Sequence, residues 1–339
     1  MTADPIPTGV LARPMPGRPS ALRGFGAYRP ARVVENAEIT DHLGITPDWV
    51  RSRTGIERRG RAAADETIVE MAFRAGTRAL ARAGVKADDL GSVLLATMTN
   101  IRQVPCLAPA VARELGASRA GGYDVNAACG GFSLALTAAT GHIAAGHADH
   151  VLVVAAERTS DIIDAGDRGT SALFGDGAAA AVVSAADRPG FGPVVWGTEG
   201  TAEDLFTLAP DLTGSRDEHV TRPRARMRGQ ALYLWASTAP APIVEEAMRA
   251  AGVSWNDVAA FVPHQANARI TRALVDALRP PPHVVVADSV RHDGNTGAAS
   301  IPLAIERLLS TERVRSGDLA VLMGFGVGLT WAAQVVRLP

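Results

Sequence analysis

Two hydrophobic spacings alternate along the chain. Residues 68–82 (IVEMAFRAGTRALAR) and 243–249 (IVEEAMR) set apolar positions three and four apart, the stripe of an amphipathic helix. Each stretch meets a glycine that stops the helix, Gly84 or Gly252, then a short acidic turn, then an apolar run that reads as a buried strand. The passages AGVKADDLGSVLLATMTN (83–100) and AGVSWNDVAAFVPHQAN (251–267) therefore repeat one another. A second unit follows each. GGYDVNAACGGFSLALTAATGHIAAG leads to the strand HVLVVAAE, and HVVVADSVRHDGNTGAASIPLAIERLL leads to LAVLMGFG.

Near-continuous apolar strands alternating with helices predict an α/β fold whose sheets are covered on both faces. The helices of the second units are so rich in Ala, Gly and Ser that their backbones can approach neighbours closely, as helices buried between two sheets must. The organisation expected is a flexible Pro-rich tail over 1–20, one half over 21–190 and a related half over 191–339. Segment 200–230 has neither periodicity and carries many Arg; it reads as an insertion near the opening of a site, or as a solvated loop.

Composition narrows the function classes. A 47% hydrophobic, 20% charged chain is an ordinary globular protein, and its net charge of −1 gives no electrostatic footprint for nucleic acid or an anionic membrane. With no run of 18 apolar residues and no apolar stretch near the start, neither a membrane span nor an export signal is expected. Two cysteines, Cys106 and Cys129, cannot build a disulfide framework or a Cys-rich metal site, which fits a reducing cytoplasm.

Three junctions carry candidate chemistry: Cys129 in DVNAACGGF, His264 in VPHQAN and Asn295 in HDGNTGAAS. If the halves are duplicates, Cys129 and Asn295 occupy matching strand-to-helix junctions, and His264 ends the strand that matches LLATMTN. A pseudo-twofold would then gather all three. A cysteine at a helix N-terminus is expected to have a lowered pKa, and its own amide could join an oxyanion hole. Taken singly, each residue also has a plain reading: a small core cysteine, a satisfied core histidine, a turn asparagine. Cys106 reads as structural. Gly324, Gly326 and Gly328 in GFGVGLTW invite a dinucleotide reading, but too little chain follows for a helix and a returning strand, so a glycine-rich hairpin at the site is expected.

DVNAACGGF, DRGTSALFGDGAAAAVV, FVPHQAN, GNTGAASIPLAI, GFGVGLTW and the earlier TPDWVRSRTGIERR together resemble the beta-ketoacyl-acyl-carrier-protein synthase III family, initiating condensing enzymes of the thiolase superfamily. The likeness runs in order from about residue 21 to the C-terminus. It implies a homodimer with a five-layered αβαβα thiolase fold and a Cys-His-Asn triad at Cys129, His264 and Asn295. It also implies that Trp49 and Arg168 flank the adenine of coenzyme A, that Arg53 lies near its phosphates, and that Arg269 belongs to an acyl-carrier-protein docking surface. The substrates implied are an acyl-CoA primer and malonyl-acyl-carrier protein, bound as coenzyme A and phosphopantetheine thioesters, with no separate cofactor and no metal. Two positions depart from the family pattern. Leu234 stands where a basic residue is common, and Val104 matches a primer-pocket position across the dimer where some members carry Phe, which implies room for a primer larger than acetyl.

The mechanism expected is acylation of Cys129, with the oxyanion held by its own amide and one from the Val327–Gly328 turn. Decarboxylative Claisen condensation follows, with His264 and Asn295 as neutral donors. An acyltransferase on the same fold, passing its acyl group to a hydroxyl or amine, is the nearest rival; it would gain from a carboxylate orienting His264 as base. A papain-like hydrolase shares the order Cys, His, Asn but lacks the local pattern and has no place for duplicated halves. A carrier-binding protein without catalysis is the remaining alternative.

Overall fold

In the computed structural model, residues 17–102, 104–209 and 222–339 are described. The predicted tail over 1–16 and residues 210–221 of the predicted insertion lie outside them. Residues 17–20, the end of the segment read as a tail, are docked. Arg18 pairs with Asp149, Pro19 O accepts the amide of Ala186 at 2.9 Å, and Ser20 already opens the first strand.

The first half supplies strands β1 (Ser20–Tyr28), β2 (Arg32–Glu35), β3 (Arg58–Arg61), β4 (Ser92–Ala96), β5 (Gly121–Val125), β6 (His150–Glu157) and β7 (Gly177–Ala185). Its helices are α1 (Asn36–Leu43), α2 (Pro47–Thr54), α3 (Ile68–Ala83), α4 (Ala108–Leu115), α5 (Gly131–Ala144) and α6 (Arg168–Ser171). The second half supplies β8 (Val195–Thr198), β9 (Phe206–Ala209), β10 (Arg224–Met227), β11 (Val258–Pro263), β12 (Val285–Val286), β13 (Leu319–Gly326) and β14 (Thr330–Arg337). Helices α7 (Gly229–Thr238), α8 (Pro240–Ala251), α9 (Ala268–Leu278), α10 (Val290–Asp293) and α11 (Ser300–Ser310) complete it.

The two main sheets run β1-β7-β6-β4-β5 and β8-β14-β13-β11-β12. Read in that direction, the pairings agree at every step: antiparallel, antiparallel, parallel, parallel. The repeat seen in sequence is thus a repeat of sheet topology. Both preceding helices stop at a left-handed glycine, Gly84 with φ +65° and Gly252 with φ +67°, and both pass through a one-turn 3-10 helix into the fourth strand of the sheet, β4 or β11.

Helices α5 and α11 lie between the sheets. Helix α5 touches β6 and β4 on one side and β13 and β14 on the other, while α11 touches β1, β7 and β11. Helix α5 buries the small residues Gly131, Ser133, Ala135 and Ala139 as predicted for a buried helix, whereas α11 buries larger ones as well, and Ser300 to Glu306 is buried without a break. Helices α3 and α4 cover the outer face of the first sheet, and α8 that of the second, with α9 and α7 packed beside it. This is the αβαβα layering of the thiolase fold.

Close backbone contact also fixes the outer layer. Helix α3 buries Met71, Ala72, Ala75, Gly76, Ala79 and Leu80, one stripe at helical spacing. The strand beneath offers glycines in return. A Cβ on Gly24 would stand 2.8 Å from Ala83 N, and one on Gly26 would overlap Ala75 O and Ala79 N. Because those obstacles are helix backbone, the whole helix would have to lift. Gly26→Ala is therefore expected to cost about 2 kcal/mol or more of stability, measured as a lowered midpoint in chemical denaturation.

The predicted insertion is only partly irregular. β9 and β10 form a two-stranded ribbon, Phe206 facing Met227, and β10 is tied to the first half where Ala225 N donates to Ile162 O at 2.7 Å.

Candidate active site

Strand β5 ends at Val125, and α5 begins only at Gly131. Between them the chain makes the 3-10 turn Ala128–Gly130 with Cys129 at its centre. Ala128 has φ +46°, in the left-handed region that costs a residue with a Cβ on the order of 1 kcal/mol. The strained turn presents Cys129, buried at 9% exposure, to a cavity of about 720 Å³ including its open mouth. That volume suits a small-molecule or cofactor-sized arm, and its walls are largely apolar: Met98, Leu173, Phe174, Phe206, Met227, Leu232, Tyr233, Trp235, Ile270 and Phe325.

The second half brings His264 and Asn295 to the same cavity. His264 follows β11 directly, and its amide donates to Met323 O at 2.8 Å, extending the pairing of β11 with β13 by one step. Phe325 meets its ring edge-on, with centroids 5.1 Å apart. Asn295 is clamped by its backbone to the loop of the first half: its amide donates to Leu173 O and its carbonyl accepts from Gly175 N, each at 2.9 Å. The Asn295 side-chain oxygen accepts from Gly297 N at 2.9 Å. With the oxygen so engaged, the amide NH₂ is the part left to face the cavity as a donor. Counted from the helix starts, the residue equivalent to Cys129 is Ala298, and Asn295 stands three places earlier, so the junctions match but the residues do not superpose one for one.

The β13–β14 hairpin is where sequence expectation placed it. A Cβ at Gly326 would sit 2.5 Å from Ala127 O and 3.0 Å from Cys129 N. Only glycine lets the hairpin lie against the cysteine turn. Val327 lines the cavity beside Cys129, whereas Gly328, at the tip with φ +84°, borders an adjoining depression with Ala127 and Ala128.

Electrostatics overturn one expectation. The Cys129 thiol is not lowered: burial, and then the nearby Glu157 carboxylate, push it up to about 12. Burial also holds His264 down at about 3, so its imidazole is neutral. The backbone amide at Cys129 pulls the other way, but by less than removal from water raises the thiol. The resting pair is thiol and imidazole, not thiolate and imidazolium. Glu157, at the end of β6, is itself lifted to about 7 by burial, against the pull of Thr99, Met98, Ala298 and Thr97. Its carboxylate accepts from Thr99 Oγ1 at 2.7 Å, from Met98 N at 3.2 Å and, across the halves, from Ala298 N at 3.3 Å.

The other residues singled out in the sequence stand outside the cavity lining. Trp49 and Arg53 lie exposed on α2, whose end packs through Gly55 against Ala268, next to the cavity residue Asn267. Arg168 is exposed at the first position of α6. Arg269 stacks over the ring of Tyr233 at 4.9 Å, which puts it beside the cavity mouth, with Leu234 67% exposed next to it. Val104 is 81% exposed and Cys106 half-buried, neither in the cavity lining.

The family described as 3-oxoacyl-[acyl-carrier-protein] synthase III matches residues 123–200, and its C-terminal part matches residues 248–338. A Streptomyces glaucescens protein named beta-ketoacyl-[acyl-carrier-protein] synthase III is 44% identical over 329 residues, covering 96% of this chain and 99% of the relative. This chain belongs to that family. The mycobacterial synthase III of Mycobacterium tuberculosis is 45% identical over 323 residues, covering 95% of this chain and 96% of its own. Among solved structures, the priming beta-ketosynthase of the R1128 polyketide pathway overlays with a TM-score of 0.93 at 44% identity, covering 97% of this chain and 98% of that one. The synthase III from Pseudomonas aeruginosa overlays at 0.87 with 36% identity, covering 95% and 99%.

In this synthase III chain, sequence reasoning missed residues that adjoin the three candidate side chains without lining the cavity. Glu157 was legible only as an acidic residue closing an otherwise apolar strand. Ser300, the last residue of GNTGAAS, gave no signal beyond being polar in a buried helix start. If the resting cysteine is a thiol, alkylation of Cys129 by iodoacetamide should climb about tenfold per pH unit from roughly pH 6 to 10 without a plateau. A plateau already reached near neutrality, followed by mass spectrometry of the labelled chain, would show a thiolate instead.

Proposed function

We propose that the chain catalyses decarboxylative Claisen condensation of an acyl-CoA primer with malonyl-acyl-carrier protein, in fatty-acid or polyketide initiation. The observation that carries the reading is the shape and polarity of one cavity. A cysteine faces two neutral side chains, His264 and Asn295, and no carboxylate lines the space among the described residues. An acyltransferase to a hydroxyl or amine would gain from a base whose proton affinity is sustained by a carboxylate. His264, held down at about 3, is a poor base and a good neutral donor.

In the first stage the Cys129 sulfur attacks the primer thioester. The tetrahedral oxygen is stabilised by the Cys129 amide and by an amide of the Val327–Gly328 turn. The C–S bond to coenzyme A breaks, and the proton given up by Cys129 ends on the departing coenzyme A sulfur, so the stage leaves the site neutral. In the second stage malonyl thioester enters the emptied arm. His264 and Asn295 donate to its thioester carbonyl as the carboxylate leaves as carbon dioxide, and the enolate carbon attacks the acyl group on Cys129. The released Cys129 sulfur takes a proton from solvent. Thioesters are substrates throughout, and the scheme uses no cofactor or metal.

The peripheral residues fit the same scheme. Trp49, Arg53 and Arg168 are exposed and would hold the nucleotide end of coenzyme A, while Arg269 would meet the carrier protein with Leu234 adding an apolar contact. Val104, exposed and away from its own cavity, suits a role in the primer pocket of a second copy, in a homodimer working in the cytoplasm. Its small side chain leaves room for primers larger than acetyl.

Three measurements test the reading. Exposure of the intact protein to a panel of acyl-CoAs should leave an acyl mass on wild type and none on Cys129→Ala, with chains longer than acetyl retained. His264→Ala and Asn295→Ala should still load the primer but lose carbon dioxide release from labelled malonyl carrier protein by about 10² to 10³ each. Turnover of the acyl-enzyme without carbon dioxide release would support acyl transfer and overturn condensation.

A further inference from the structure

His264 can serve as a donor to a thioester carbonyl only if the proton on its neutral ring sits on the nitrogen that faces the cavity. Nothing in the ring itself decides this, since the partner of the other nitrogen does. That partner is Ser300. Its Oγ lies 2.6 Å from His264 Nδ1, and both residues are buried, at 1% and 3% exposure.

The hydroxyl has one proton to place. Gln265 N–H donates into Ser300 Oγ at 3.3 Å, so the oxygen already accepts one bond. Were the imidazole to donate from Nδ1, the oxygen would accept twice and its own O–H would be left in a dry interior without an acceptor, a costly arrangement. Among the described residues, Ser300 Oγ has no other partner, not even the carbonyl one helical turn back that Thr137 uses. The favourable arrangement sends the Ser300 proton to Nδ1. Nε2 then carries the ring proton.

From this geometry we propose that Ser300 is a positioning residue that fixes His264 in the Nε2–H form, making its cavity-facing nitrogen a hydrogen-bond donor. The proposal rests on the condensing function above, in which His264 acts as a donor. It also links the triad members physically. Ser300 opens α11, five residues after Asn295, so the segment that carries one donor also sets the proton of the other. Gln265 holds the same register from the other side. It is fully buried, with Nε2 on Pro263 O at 2.8 Å and Oε1 accepting from Val290 N at 3.2 Å, which keeps its backbone amide aimed at Ser300.

The test uses the full-length protein and its Ser300→Ala variant, a small truncation that leaves no bulky group to refit. Nitrogen-15 NMR of histidine-labelled wild type should show His264 protonated at Nε2; a ring protonated at Nδ1 would overturn the proposal. Ser300→Ala should load acyl-CoA on Cys129 within about twofold of wild type, yet release carbon dioxide from malonyl carrier protein about tenfold more slowly. Its His264 signal should move toward a mixture of the two ring forms. Equal slowing of both stages would mark a packing role, and unchanged release would show no role, and each overturns the proposal. Wild type that loads the primer but releases no carbon dioxide would instead sink the condensation reading, while the NMR comparison would still decide what Ser300 does.

Discussion

The approach of Gly326 to the turn carrying Cys129 is the contact on which the site depends. It joins the last strand pair of the second half to the cysteine turn of the first, with backbone against backbone and no space for a side chain. Because the hairpin lies flat on that turn, the Cys129 amide and the Val327 segment border one space. Because β13 also pairs with β11, the same strand that brings Gly326 to the cysteine fixes the level at which His264 leaves the sheet. Widening this contact by a single methyl group would separate the hairpin backbone from the Cys129 turn and shift His264 with it.

Around that contact the protein has removed charge. The thiol, the imidazole and the amide are neutral at rest, and the nearby carboxylate of Glu157 is turned to Met98, Thr99 and Ala298 rather than to the cavity. In a dry apolar arm, neutral donors stabilise a developing enolate without first paying to hold a charge. A thioester also needs no strong base to be attacked, because its leaving group can carry the proton away. Glu157 adds a mechanical part: bonding β4's end to the start of the second buried helix, it ties the two halves within reach of the triad.

Much of this was legible in residues. The two helix stops at Gly84 and Gly252, with the acidic turns and apolar runs after them, announce a repeat because left-handed caps and buried strands have few other spellings. The small-residue stretches announce buried helices for the same reason. What failed to show was whatever depends on a neighbour distant in sequence. The pKa of Cys129 was expected to fall by its place at a helix start, but burial and the Glu157 carboxylate decide it, and neither is local. The docking of residues 17–20 rests on Asp149 and Ala186. The β9–β10 ribbon escaped notice because its strands are short and separated by a long connection.

The sequence by itself determined the order of elements, the twofold repeat, the buried helices, the hairpin and the three candidate side chains that meet in one cavity. These follow from periodicity, from glycine where the backbone must turn or touch, and from reactive residues set at strand ends. Only the tertiary structure decided the protonation of those side chains, the direction of the Asn295 amide, the tie made by Glu157 and the partner of His264. Each is set by solvent exclusion and by hydrogen bonds between residues far apart in the chain, and a linear pattern carries no record of which buried group will find which.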